Sequence, residues 1–354
     1  MKVLLVERCG YGAHVGPYVL CKYGGRIHDI TLIGFTTRKA AKPLPNVCVR
    51  EVRPDGCRIT KYLRLVRETC HEIRRGYDLV FLMYFPGCSI LKVLNPQARF
   101  VFDIRTGSTH RNSTVRWCAN RLLKLESSLF HNVTIISESL RQKLGFGEGD
   151  TVLLPLGGVP FDCAAKTFDR VRLLYAGNIT HVRRLDVTVR GLALFREKYG
   201  LGQIEGYDII GGGTGNELNE LRDLIAELGL QDYVRPYGFI PRDQVHPFFE
   251  RANIGVSFVP ITEFFHVQPV TKTFDYLLSG MPVLATATME HTRVVNSSNG
   301  VLIKDSPEAF ADGLQQIIAE RAHYDSMSIK SKARCHSWEY LMETIYLPYI
   351  AGIV

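Results

Sequence analysis

No stretch of 18 apolar residues occurs anywhere in the 354-residue chain, which excludes a helix that spans a membrane. The opening MKVLLV breaks at Glu7 and Arg8, too short for a secretory signal, so a cytoplasmic protein is expected. The four N-x-S/T triplets, at Asn112, Asn132, Asn178 and Asn296, are then chance matches. The nine cysteines include no C-x-x-C pair and no Cys/His cluster at zinc spacing, so reduced thiols are expected, with neither disulfides nor a metal. There is no low-complexity segment and no convincing repeat. A dinucleotide fingerprint is also missing. The glycine turn of DIIGGGTGN carries Asn216 where the third glycine belongs, and the next apolar run, YVRPYGF, ends on no carboxylate for a ribose. That disfavours a dehydrogenase and leaves Gly212 and Gly213 as a turn where backbone can come close to a ligand.

Negative charge is scarce in the first half. Residues 1–165 carry 24 Lys+Arg against 13 Asp+Glu, a net of +11, whereas residues 166–354 carry 19 against 22, a net of −3. Only the first half is therefore expected to face something anionic, and an anionic membrane surface is the expected partner rather than nucleic acid. In KYLRLVRETCHEIRR, Lys61, Arg64 and Arg67 recur every third residue and predict one basic helical face.

What is present is alternation. KVLLVE, DITLIGF, YDLVFLMYF, RFVFDIR and VTIIS have strand length and β-branched or aromatic character, and amphipathic stretches separate them. A second series follows the turn-rich LLPLGGVPFDC: VRLLYAG, YDIIGGG, YVRPYGF, IGVSFVP and MPVLATA, ending near residues 300–304. The pattern predicts two α/β domains with parallel sheets covered on both faces.

Two places carry candidate chemistry. In VTKTFDYLLSG, Lys272 and Asp275 are three apart and share a helical face, so an ammonium could meet a phosphate beside a carboxylate that accepts from ribose hydroxyls. In YAGNITHVRRLD, Arg183 and Arg184 stand in a turn from strand to helix, where the helix N-terminus already favours an anion. Two further cations there would repel that end unless something negative binds.

Taken in order, AGNITHVRRLD, DIIGGGTGNELNELRDLIAELGL, YVRPYGFIPRDQVHPFFERANIGVSFVP, KTFDYLLSGMPVLAT and NGVLIKDSPEAFADGLQQI resemble the carboxyl-terminal domain of the retaining GT-B glycosyltransferases of family 4, over about residues 171–320. Weaker echoes are the turn CGYGAHV, the VFDIR strand, the VTIISESL and LLPLGGVPFD segments, and the terminal HSWEYLMETIYLPYI. The resemblance implies a GT-B fold, two Rossmann-like domains with parallel sheets facing a central cleft. It implies an acceptor domain at 1–165, a nucleotide-sugar donor domain at 166–330, and a C-terminal helix, 331–354, crossing back to the first.

By that resemblance Gly177 and Arg183 match a glycine and a lysine that clamp the donor diphosphate, while Asn178 stands where an arginine is usual. Arg184, or Arg105 of the first domain, is the implied compensation. Asp275 matches the second glutamate of the family's Glu, seven residues, Glu pattern; Val267 occupies the first glutamate's position, and Lys272 matches a subgroup's lysine. Sugar recognition then falls to backbone around His266 to Gln268, with Phe239 and Gly212–Gly213 beside the nucleotide. Gly12, His14 and His110 are acceptor-side candidates. The implied reaction is metal-free, retaining transfer of a sugar from a UDP- or GDP-linked donor to a glycan or lipid-linked acceptor in surface polysaccharide biosynthesis, at the cytoplasmic membrane face. A non-hydrolysing nucleotide-sugar epimerase, or a nucleotide-sugar-binding subunit without catalysis, is the alternative.

Overall fold

The computed structural model describes residues 1–12, 14–36, 44–110, 112–213 and 215–353. The chain forms two compact units, Met1–Leu156 with Trp338–Val354, and Gly157–Ser337. Their divisions fall after 156 and 337, against the 165 and 330 read from the sequence. Among the described residues no helix is long and apolar enough to cross a membrane.

The first unit holds seven strands: β1 (Lys2–Val6), β2 (Asp29–Phe35), β3 (Val47–Val52), β4 (Leu79–Met83), β5 (Phe100–Ile104), β6 (Asn132–Ile135) and β7 (Val152–Leu153). They pair in parallel in the order β3-β2-β1-β4-β5-β6-β7. Central strands such as KVLLV and FVFDI are buried nearly throughout, because helices cover both faces of the sheet, and burial on both sides erases alternation. The edge strands β3 and β7 were not legible in the sequence. β3 exposes Cys48, Arg50 and Glu51 to different degrees, and β7 is two exposed residues long, so neither shows an apolar run.

The terminal segment belongs to this unit. Trp338 and Tyr346 are fully buried there, and the Tyr346 hydroxyl donates to the carbonyls of Leu154 (3.0 Å) and Pro155 (2.8 Å). The basic face expected on the helix Arg58–Ile73 is largely spoken for. Arg67 bonds Glu68 (2.8 Å), Arg64 bonds the Arg53 carbonyl (3.1 Å) and Asp55 (3.4 Å), and the Lys61 ammonium lies 5.8 Å from the Phe35 and Tyr62 rings. Helical spacing predicted the shared face but not its partners, of which Glu68 and Tyr62 lie on the same helix and Asp55 and Phe35 come from other segments.

The second unit holds β8 (Val171–Ala176), β9 (Ile204–Ile210), β10 (Val234–Gly238), β11 (Ile254–Ser257), β12 (Val283–Thr286) and β13 (Gly300–Ile303), parallel in the order β10-β9-β8-β11-β12-β13. Both sheets are doubly wound. Strand order reverses between β1 and β4 in the first and between β8 and β11 in the second, and open parallel sheets bind ligands beyond the carboxyl ends of strands at such points.

Candidate functional site

Three segments converge at the carboxyl end of the β8/β11 switch point: the turn after β8, the residues following β11, and the helix Thr271–Leu278. That helix starts without a capping side chain and buries every residue from Lys272 to Leu278. Lys272 is only 7% exposed; its Nζ donates to the Phe258 carbonyl (2.7 Å), just past β11, and lies 4.0 Å from the centre of the Tyr175 ring on β8. Burial, and then the nearby Arg183 charge, push its pKa well below the ordinary lysine value. Arg183 stacks over the Phe265 ring at 4.7 Å. Among the described residues no carboxylate pairs with either side chain, and the two lie near enough for the charge of Arg183 to act on Lys272. An anion beside both side chains would act against that shift and raise the lysine's pKa back toward its ordinary value.

Asp275, one turn on, does not pair with Lys272. Its Oδ1 accepts the Val159 N–H (2.7 Å) and its Oδ2 lies 3.7 Å from Arg242. Burial raises its pKa to about 6, against the lowering effect of Arg242. The expected i,i+3 neighbours thus share a helix turn but take different partners.

Neighbouring groups fix this helix. His291 is buried, donates from Nδ1 to the Thr286 carbonyl (2.6 Å), and so presents Nε2 as acceptor to the hydroxyls of Ser257 (3.1 Å) and Thr273 (3.1 Å). Burial drives its pKa down to about 4, so it stays neutral at physiological pH. The Tyr276 hydroxyl accepts the Ala176 N–H (2.7 Å), tying the helix to the end of β8.

The glycine turns meet each other. Gly177 N–H donates to Ile210 (2.9 Å), Ile179 N–H donates to Gly212 (2.9 Å), and a Cβ on Gly211, at φ +149°, would fall 1.7 Å from the Gly177 carbonyl oxygen. A Cβ on Gly213 would meet the Ile179 carbonyl oxygen at 2.8 Å. The close approach expected here is therefore made first to protein backbone. Phe239 is exposed beside Gly212, and Asn178 is exposed, its carbonyl accepting the Tyr175 hydroxyl (3.0 Å). Arg184 has φ +49° at the start of the helix Leu185–Tyr199 and reaches Asp186 at 4.0 Å, so its charge is partly met there. His266 holds a buried Nδ1 with no protein partner; Val267 next to it is buried.

In the first unit, Arg105 follows β5 as part of a buried network rather than as a free cation. It bonds Asp103 (2.5 Å), the Leu154 carbonyl (3.1 Å) and the Tyr346 hydroxyl (2.9 Å), and Asp103 also accepts from Thr134 (2.6 Å). Asp103 already compensates its charge, which fits it to holding the terminal segment. His14 lies 3.3 Å from Glu7, which is 2% exposed at the end of β1 and keeps Oε1 without a partner. Hydrogen bonds to Cys9 and then Glu7 raise the His14 pKa to about 10. Gly12, at φ +78°, shapes the turn between them. His110 is exposed and accepts the Asn112 N–H (3.2 Å).

Sequence reasoning passed over Glu7, Tyr175, Arg242, Phe265 and His291. Only Glu7 carried a signal, a carboxylate ending an apolar strand. Sequence also passed over Cys163, His246 and Glu250, the one grouping among the described residues whose ligand atoms come within 4.8 Å of one another and could hold a cation. None of the three belongs to the set around Lys272.

Residues 165–334 match the family model described as glycosyl transferases group 1. No curated protein matches the sequence. Among solved structures, the sucrose-phosphate synthase from Thermosynechococcus elongatus superposes with a TM-score of 0.76 at 15% identity, covering 99% of this chain and 100% of that one. A glycosyltransferase from Rickettsia africae gives 0.76 at 16% identity, covering 99% and 98%. Anabaena HepE, solved in complex with UDP and glucose, gives 0.75 at 14% identity, covering 99% of both. At such identities the likeness concerns the fold, which is GT-B: two Rossmann-like α/β units with parallel sheets.

Proposed function

We propose, from the match of residues 165–334 to the model for glycosyl transferases group 1, that the chain is a retaining glycosyltransferase using a nucleoside-diphosphate sugar. The carrying observation is that Lys272 and Arg183 come near enough at the β8/β11 switch point for one charge to act on the other, while among the described residues no carboxylate pairs with either. Cleaving a glycosyl phosphate leaves negative charge on the diphosphate, and preorganised cations lower the barrier most when aimed at that charge. In the proposed step the acceptor oxygen bonds to the anomeric carbon from the face that the phosphate leaves. The phosphate departs with the bonding electrons and takes the acceptor proton, so no protein base and no metal is needed. Asp275 would accept from ribose hydroxyls, and the unpartnered Nδ1 of His266 would meet a sugar hydroxyl. The acceptor is a glycan or lipid-linked glycan.

The test is turnover of a panel of UDP- and GDP-sugars with glycan and lipid-linked acceptors, the product anomer being assigned by NMR. An inverted product would overturn retention. Donor epimerisation without acceptor would instead identify an epimerase, and donor binding without turnover a binding subunit. Chelators are expected to leave the rate unchanged. Loss of activity restored by a divalent ion would contradict the metal-free step and direct attention to Cys163, His246 and Glu250.

Donor affinity is expected to fall as pH drops through about 6. Asp275 accepts from ribose only when ionised, and its pKa is raised to about 6 by burial. The stability effect has the opposite sign. A folded-state pKa above the ordinary 3.8 favours the folded protein at low pH, and that contribution is lost as pH rises through about 6. Ionised Asp275 is thus kept at a cost to stability. Asp275→Ala should raise the donor Kd and flatten the pH dependence, while Asp275→Asn, still able to accept one hydrogen bond, should raise Kd less. A pH-independent Kd in the wild type would remove Asp275 from the binding site.

A further inference from the structure

We propose that the helix Ser113–Ser127 of the first unit is an interfacial element that inserts its outer face into an anionic lipid surface. The proposal deepens the reading of a lipid-linked acceptor and names the docking residues, but its test needs neither donor nor acceptor.

The helix exposes large apolar side chains on the side facing solvent. Leu125 is 68% exposed, Trp117 59%, Leu129 just beyond the end 50%, Val115 46% and Leu122 45%. At 100° per residue, Trp117, Leu122 and Leu125 fall on the half of the helix opposite Leu123, Glu126 and Ser127, which are buried. A surface helix in water normally fills its outer half with polar residues, whereas here three large apolar side chains share that half with Arg121 and Lys124. Its charges complete the pattern. The only acid, Glu126, is turned inward, where it accepts the N–H groups of Gly87 (2.8 Å) and Ser89 (3.1 Å). The remaining charges are cations: Arg116, Arg121 with its guanidinium 5.1 Å from the Trp117 ring, and Lys124 bonded to the Gly145 carbonyl. Exposed leucines, one tryptophan and flanking cations without an outward carboxylate are the composition of a helix lying in a lipid interface. A second copy docking through this face would add three more cations and no outward carboxylate to the contact, whereas anionic headgroups would neutralise the cations of the helix. The helix Arg58–Ile73, whose basic side chains already have acids and rings beside them, is the weaker candidate.

The experiment is co-sedimentation of the full chain with vesicles of phosphatidylglycerol and phosphatidylcholine, against phosphatidylcholine alone, at low and high salt. The chain contains two tryptophans, and since Trp338 is 1% exposed, a shift of emission on adding vesicles reports Trp117. The expected result is binding to the anionic vesicles and a blue shift absent from Trp117→Phe. Salt should weaken the attraction, which decays over a Debye length of about 8 Å in physiological salt. Leu125→Glu and Trp117→Glu should each lower the bound-to-free ratio at least about tenfold, with near-ultraviolet circular dichroism unchanged because both side chains are exposed. Lys61→Glu/Arg67→Glu should change it much less. Wild type that ignores anionic vesicles, equal binding by Leu125→Glu, or a solution dimer abolished by Leu125→Glu would overturn the proposal. Loss of glycosyl transfer with vesicle binding intact would instead count against the proposed reaction alone.

Discussion

Lys272→Ala and Arg183→Ala should each lower kcat/KM by about 100-fold or more, a loss on the order of 3 to 4 kcal/mol of transition-state stabilisation. Each removes one of the two cations proposed to act on the leaving diphosphate, and neither substitution leaves a buried carboxylate unpaired, because among the described residues none pairs with them. Stability should move the other way at Lys272. Burial holds its ammonium at a low pKa, so an apolar Lys272→Met is expected to be neutral or stabilising while activity is lost. That divergence separates a functional lysine from a structural one. A nucleoside diphosphate at 100 times its Kd should stabilise the wild type by about 2.7 kcal/mol, and the variants visibly less at the same concentration. Binding should also take up a proton, increasingly as pH is raised, since the incoming anion restores the charge that burial and Arg183 disfavour. Calorimetry in buffers of different ionisation enthalpy measures it. Wild-type turnover in a folded Lys272→Ala protein, or no proton uptake between neutral and alkaline pH, would sink the assignment.

Gly211→Ala should be the most damaging single methyl group in the second unit. Its Cβ would lie 1.7 Å from the Gly177 carbonyl oxygen and 2.6 Å from the carbonyl carbon, both backbone atoms that cannot rotate away, at a φ of +149° that side chains rarely adopt. Overpacking and backbone strain together cost about 3 to 5 kcal/mol, in the tail of point-mutant effects. The second unit's thermal transition should fall by roughly 10 °C. Whatever protein remains folded should also bind diphosphate poorly, because the displaced partner is the turn leading to Arg183. Gly202→Ala, where a Cβ meets nothing within 4 Å, is the control and should be nearly silent. Equal melting of the two variants would show that the turns separate freely.

The two-unit α/β architecture was legible because its physics is local. Strands buried on both faces leave contiguous apolar runs, so the inner strands of both sheets stood out; of the four edge strands β10 and β13 were also readable, whereas β3, largely exposed, and β7, two residues long, were not. The glycine turn at Gly211–Gly213 and the cation-bearing turn at Arg183 were readable for the same reason, as breaks between a strand and a helix. Through-space pairing was not. Arg105 meets Tyr346 across 241 positions, Val159 meets Asp275 across 116, and Lys272 reaches a ring on β8 and a carbonyl after β11. Residue type alone shows only that a charge exists, and what it does depends on desolvation and on partners brought by other segments. By itself the sequence determined the alternation of strands and helices, the uneven charge and the candidate cations. The tertiary structure decided that Arg105 is compensated by Asp103 and that Lys272 and Arg183 come within each other's electrostatic reach with no carboxylate paired to either among the described residues. It also turned the apolar side of the Ser113–Ser127 helix outward, because burial and electrostatic pairing are set by distances that only the folded chain defines.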